Sequence, residues 1–231
     1  MLLFALYCTY VSANPPHPPP KDAEAARYKD EKKTSRRIFK IGAPMLRYGS
    51  ALVYLGEVAV LLAQHYHAHP LSRPVLSLLL RGAPSAASHI RITRPFLLGF
   101  LLLLLGTSIR VACYRHLGRL FTFELALRDD HKLVTSGPYS IVRHPAYTGL
   151  ILAMAGIALI HLGPGSWWDA LGCGGAAGDG VWAGVGGDSE LLYGGVGGEG
   201  WEGGWGVEGG IWGEWERWAG VTPYRLVPGI W

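Results

Sequence analysis

The stretch with the greatest chemical content is His131–Gly149, HKLVTSGPYSIVRHPAYTG. Gly137-Pro138 is a turn signal. Pro145 suits the first turn of a helix, where its missing N–H costs nothing. That start puts His144 near the N-cap and Tyr147 in the first turn, so a polar loop runs into a helix. A helix N-terminus offers N–H groups and a positive dipole end, which favour an anion. Tyr139 and Tyr147 can present ring faces to a cation. A ligand that is both anionic and cationic fits this pattern, and S-adenosylmethionine, with a carboxylate and a sulfonium, is one. An interfacial belt of Tyr and His capping a membrane span fits it too, and on the residues alone that is the commoner arrangement.

Other candidate clusters carry less. His65, His67 and His69 alternate, but no Cys or acidic partner lies near them in sequence, so a loop at the end of a span is favoured over a metal site. Glu57 stands in an apolar run, where a carboxylate is costly and is either functional or paired inside a bundle, the latter favoured. Cys8, Cys113 and Cys173 are far apart, which argues against a disulfide scaffold.

The elements that position these residues follow from composition. The 231 residues are 49% hydrophobic and 16% charged, with mean hydropathy +0.20. Charged residues usually make up about a quarter of a globular chain, so disorder is excluded and a membrane protein is indicated. Residues 1–13 are apolar but short for a span. A Pro-rich and basic loop follows over 14–43, with seven Lys/Arg between Arg27 and Lys40. Spans are expected over 44–66, over 95–109 with extension to Tyr114, and over 144–168, with residues 67–94 a polar loop. Arg110, near the end of the second of these, is expected to snorkel to the interface. The basic segments 27–40 and 115–143 are separated by two spans, so they share one side, the cytoplasm. The expected fold is all-α: a multi-pass transmembrane helical bundle forming one domain, with a cytoplasmic cofactor pocket.

HKLVTSGPYSIVRHPAYTG resembles the signature of the isoprenylcysteine carboxyl methyltransferase family, in which a GxY turn precedes RHPxYxG. FTFELALRDD before it and the terminal EWERWAGVTPYRLVPGIW are also similar to that family, particularly its fungal members. The resemblance implies methyl transfer from S-adenosylmethionine to the C-terminal carboxylate of prenylated cysteine. Its implied partners are prenylated, CaaX-processed proteins and the lipid bilayer of the endoplasmic reticulum, with neither nucleic acid nor metal. It implies that His131, Lys132, Leu133, Val134, Tyr139, His144, Pro145, Ala146 and Tyr147 bind the cofactor, with Glu124 as a further polar contact. Arg143 matches the RHP arginine, and it is read equally as a catalytic group or as an anchor. An α-carboxylate has a pKa of about 3.5, so it is already a nucleophile and needs no general base. A lipid amine acceptor, the alternative, must first lose a proton, for which His131, His144 or Glu124 would serve.

Residues 170–213 depart from the pattern. Segment 172–213 holds 19 glycines and no Lys or Arg, a composition that suits neither a helix nor a span. A shifted reading frame would produce such a break, and an inactive membrane protein is then a third reading. Without a returning span, the family-like end at 214–231 is expected on the side of the membrane opposite the His131–Gly149 segment.

Overall fold

The computed structural model describes residues 1–14, 16–18, 33–81, 84–121, 132–172 and 210–229. Among these the secondary structure is entirely helical. The elements are α1 (Leu2–Ala13), α2 (Lys33–His65), α3 (Ser72–Leu79), α4 (Arg94–Leu117), α5 (Pro145–Leu162), the single turn α6 (Trp167–Ala170) and α7 (Gly210–Val221). Short 3-10 turns stand at Pro84–His89, Gly118–Leu120 and Gly137–Ser140. Among the described residues, three segments are long and apolar enough to cross a membrane: Ile41–His65, Arg94–Leu120 and Pro145–Ala170. The spans expected over 95–109 and 144–168 therefore fall on α4 and α5. The Gly-rich stretch 173–209, with the question of its reading frame, lies outside the described residues.

Two boundaries differ from the sequence reading. The span expected over 44–66 falls at Ile41–His65 of α2, but the expected loop 14–43 gives way to helix already at Lys33, and Pro44 lies inside that helix. The proline's missing N–H removes one rung of the ladder, which a 33-residue helix with intact turns on both sides absorbs. The expected polar loop 67–94 contains α3, whose Leu76 and Leu79, with Leu80 at its end, pack with Val60, Ala87 and Ile90. Apolar residues four apart lie on one helix face, and burial of that face outweighs the loop's polar composition.

The chain forms two compact units. One comprises Met1–Tyr10, Met45–Leu105 and Leu152–Asp188. Its core gathers Ala5, Cys8, Tyr54, Phe96, Leu103, Ala153, Ile157 and Ile160. Here α4 and α5 touch through glycine: a Cβ on Gly99 would lie 2.8 Å from the Gly156 carbonyl, and one on Gly156 would lie 2.6 Å from Leu103 N. Small residues permit such close backbone approach between membrane helices, where van der Waals packing drives association. Glu57 is 3% exposed and accepts the Trp167 N–H at 3.5 Å, while Trp167 Nε1 donates to the Leu79 carbonyl at 3.0 Å. The paired reading of Glu57 therefore holds. Among the three histidines, His65 lies edge-on to Tyr66, and His69 Nδ1 accepts the Leu71 N–H at 3.3 Å.

The second unit comprises Val11–Pro44, Gly106–Ile151 and Ser189–Trp231, and it contains the His131–Gly149 segment.

Candidate functional site

Helix α5 begins at Pro145, so proline occupies the first helical position and His144 the position before it, as the spacing predicts. Upstream, Gly137–Ser140 forms a 3-10 turn with Pro138 near its start. Gly137 has φ +62°, in the region that favours glycine, and the His116 imidazole lies over the face where a Cβ would project. That ring is fixed by a 2.8 Å contact between His116 Nδ1 and the Ala112 carbonyl. The turn sends Tyr139 inward to 8% exposure, within hydrogen-bond reach of the Cys113 thiol. Burial, reinforced by that thiol, pushes the Tyr139 phenol well above its ordinary value and keeps it protonated.

The C-terminal segment closes on this turn. Arg143 N–H donates to the Tyr224 carbonyl at 2.9 Å, and His144 N–H to the Arg225 carbonyl at 2.8 Å. The Arg143 side chain donates from Nε to the Thr222 carbonyl (2.9 Å) and from Nη2 to the Pro223 carbonyl (2.8 Å). Thr148 Oγ1 donates to the Leu226 carbonyl at 2.6 Å, and Trp218 Nε1, on α7, to the Tyr139 carbonyl at 3.1 Å. These bonds overturn the expectation that the terminal segment lies on the side opposite the motif. That expectation counted spans only; the carbonyls of residues 222–225 instead find donors in the Arg143 fork and in N–H groups that precede the helix, and that of Leu226 finds the Thr148 hydroxyl.

His144 and Tyr147 stand edge to face, with ring centroids 6.1 Å apart. Burial first, then the charges of Arg143 and Arg225, push the His144 imidazole down to about 4, so it is neutral at neutral pH. Arg143 is itself pulled below its ordinary value, by burial and by Arg225.

Of the sequence candidates, Tyr139 and Pro145 are buried, while His144, Ala146 and Tyr147 are half-buried. Leu133 and Val134 are half-buried and Lys132 is exposed on the irregular approach to the turn. His131 and Glu124 lie outside the described residues. Sequence reasoning placed Arg110 at the interface; the structure buries it to 3% exposure beside the motif. An arginine that interrupts the apolar run of a membrane helix is costly unless its donors are met inside, and that rule marks it from sequence. The partnership of residues 218–226 with the motif joins segments some eighty positions apart, and no local pattern announces it.

Comparison with known proteins bears on this stretch. Residues 97–164 match the isoprenylcysteine carboxyl methyltransferase (ICMT) family. Protein-S-isoprenylcysteine O-methyltransferase B of Arabidopsis thaliana is 35% identical over 68 residues, 29% of this chain and 34% of that protein. A probable protein-S-isoprenylcysteine O-methyltransferase of Oryza sativa subsp. indica is 32% identical over 68 residues, 29% of this chain and 36% of its own length. Protein-S-isoprenylcysteine O-methyltransferase A of Arabidopsis thaliana is 33% identical over 68 residues, again 29% of this chain and 34% of that protein. The chain thus spans about a third of the length of these curated relatives. No solved structure matches it. From the first turn of α4 through Tyr139 and the RHPAY turn to the end of α5, this chain is similar to the isoprenylcysteine carboxyl methyltransferase family.

Proposed function

We propose that this chain transfers a methyl group from S-adenosylmethionine to the C-terminal carboxylate of prenylated cysteine. The acceptors are CaaX-processed proteins, and the reaction takes place at the cytoplasmic face of the endoplasmic reticulum membrane. The observation that carries the reading is the RHPAY turn at the start of an apolar helix, with a neutral His144 set against Tyr147. It lies within the stretch that resembles the methyltransferase family.

The residues fit such a cofactor. A protonated imidazole at this position would repel a sulfonium, and His144 is held neutral. Tyr147 and Tyr139 supply aromatic surface for a cation. When bound, S-adenosylmethionine supplies an electrophilic methyl group on a cationic sulfur. Lys132, Leu133 and Val134, on the approach to the turn, complete the proposed set with Pro145 and Ala146; His131 and Glu124 belong to it by resemblance.

The chain's own contribution is alignment and exclusion of water. The acceptor carboxylate is ionised at neutral pH, so no side chain has to remove a proton. Arg143 spends two of its donors on the Thr222 and Pro223 carbonyls. That supports the anchoring reading of this residue over the catalytic one. A lipid amine acceptor would require a base, and an imidazole pushed down to about 4 is a weak one, which disfavours that alternative. The prenyl chain of the acceptor is apolar, in keeping with an enzyme built from membrane helices.

The test uses membranes containing the chain, labelled S-adenosylmethionine and a farnesylated cysteine analogue. A methyl ester releases its label in base, whereas an N-methyl group does not. Base-labile counts above those of empty membranes are expected. Base-stable counts would assign a lipid amine acceptor, and no counts, with the protein shown to be in the membrane, would reject the activity.

A further inference from the structure

Among the described residues, Arg110 is the most deeply buried cation of the motif-bearing unit. Its Nε donates to the Ser12 carbonyl at the end of α1 (2.7 Å) and to the Tyr114 hydroxyl (3.0 Å). One terminal nitrogen, Nη1, donates to the Ala146 carbonyl at 3.0 Å. The Tyr114 hydroxyl donates in turn to the same Ser12 carbonyl, at 2.9 Å. The guanidinium carbon lies 5.4 Å from the Tyr114 ring centroid and 6.0 Å from that of Phe121. Its aliphatic stem packs on α5, where a Cβ on Gly149 would come 2.8 Å from Arg110 Cγ.

A buried guanidinium is costly unless its donors are used and its charge is compensated. An apolar residue would fill the same space at lower cost. What arginine adds is a rigid planar fork that fixes several acceptors at once. One of them, Ala146, stands between His144 and Tyr147, the two rings that face each other at the helix start.

We propose that Arg110 is a positioning residue of the methyl-donor site, holding the Ala146 carbonyl and the Tyr114 hydroxyl so that the His144–Tyr147 turn is preformed for S-adenosylmethionine. The inference rests on the donor reading above and extends it to a residue that acts through others. It predicts that loss of the fork weakens the donor and leaves the prenyl acceptor alone.

The experiment measures binding of labelled S-adenosylmethionine to the full chain in detergent, and separately the KM for farnesylated cysteine. Arg110→Lys keeps the charge and loses the fork. Tyr114→Phe removes one partner and leaves both charge and packing, so it serves where Arg110→Lys fails to fold. The expected result is a Kd for S-adenosylmethionine raised about tenfold in Arg110→Lys and about threefold in Tyr114→Phe. Acceptor KM and thermal midpoint should stay near those of the unmodified chain for Tyr114→Phe. An unchanged Kd in folded variants, or equal losses toward donor and acceptor, would overturn the proposal and leave a purely structural arginine. Donor binding by the unmodified chain without ester formation would reject the acceptor reading, while the variant ratio still decides the role of Arg110. No donor binding by the unmodified chain would overturn both.

Discussion

Replacing Arg143 by alanine tests how the C-terminal segment is held on the turn before α5. The change removes two charge-assisted bonds, Nε to the Thr222 carbonyl at 2.9 Å and Nη2 to the Pro223 carbonyl at 2.8 Å. The first is partly buried, and hydrogen bonds to charged groups contribute about 1.5 kcal/mol or more in that setting. The second is exposed, and solvent screening reduces it to about 0.5 kcal/mol. Their sum, about 2 kcal/mol, is roughly a 30-fold change in an equilibrium constant. The segment stays attached through the Arg143 and His144 amides, Thr148 and Trp218, so the variant opens more often without losing the contact. The two amides are themselves the reporters. Hydrogen exchange followed on the peptide spanning 139–148 should show protection of residues 143 and 144 reduced about 30-fold. Amides in the middle of α5 should be unaffected. Arg143→Lys, which keeps one donor and the charge, should fall between, at about fivefold. Unchanged protection at 143–144, or a loss spread evenly along α5, would show that the Arg143 fork does not hold the C-terminal segment.

Three further outcomes follow. Gly156→Ala places a methyl group 2.6 Å from Leu103 N, so α4 and α5 must separate; a loss of about 2–3 kcal/mol is expected as a lower thermal midpoint in detergent. Gly137→Ala forces a side chain into φ +62° and onto the His116 ring, and the double variant with His116→Ala should recover the steric part and leave the backbone part, about 1 kcal/mol. His144 is pushed from its ordinary 6.5 to about 4 in the fold, so between those values the unfolded chain binds more protons. Stability should therefore be full above pH 6.5 and fall as pH drops toward about 4. The slope of thermal midpoint against pH should flatten in His144→Gln.

The sequence made the membrane helices legible because hydropathy and length are local properties. The start of α5 was legible for the same reason, since Pro145 and the turn residues state their backbone preferences where they stand. What escaped was set by partners distant in the chain. Arg110 was read as reaching for the interface because its acceptors, Ser12 and Ala146, lie on other helices. Arg143 was read as catalytic or anchoring with equal weight, because the carbonyls that engage it come from residues 222 and 223. The side on which the C-terminal segment lies was misjudged for that reason too. Helix α3 was hidden within a polar, proline-containing stretch whose apolar residues gain from burial only once Val60 is beside them.

Under the proposed function, the methyl donor is held at the turn before α5. Direct ultraviolet cross-linking of methyl-labelled S-adenosylmethionine to the full chain, followed by peptide mapping, tests it most directly. Label is expected on peptides within residues 132–148, displaced by excess S-adenosylhomocysteine and lost in a His144→Ala/Tyr147→Phe double variant. Competable label confined to peptides elsewhere, or label on 132–148 that survives the double variant, would contradict it.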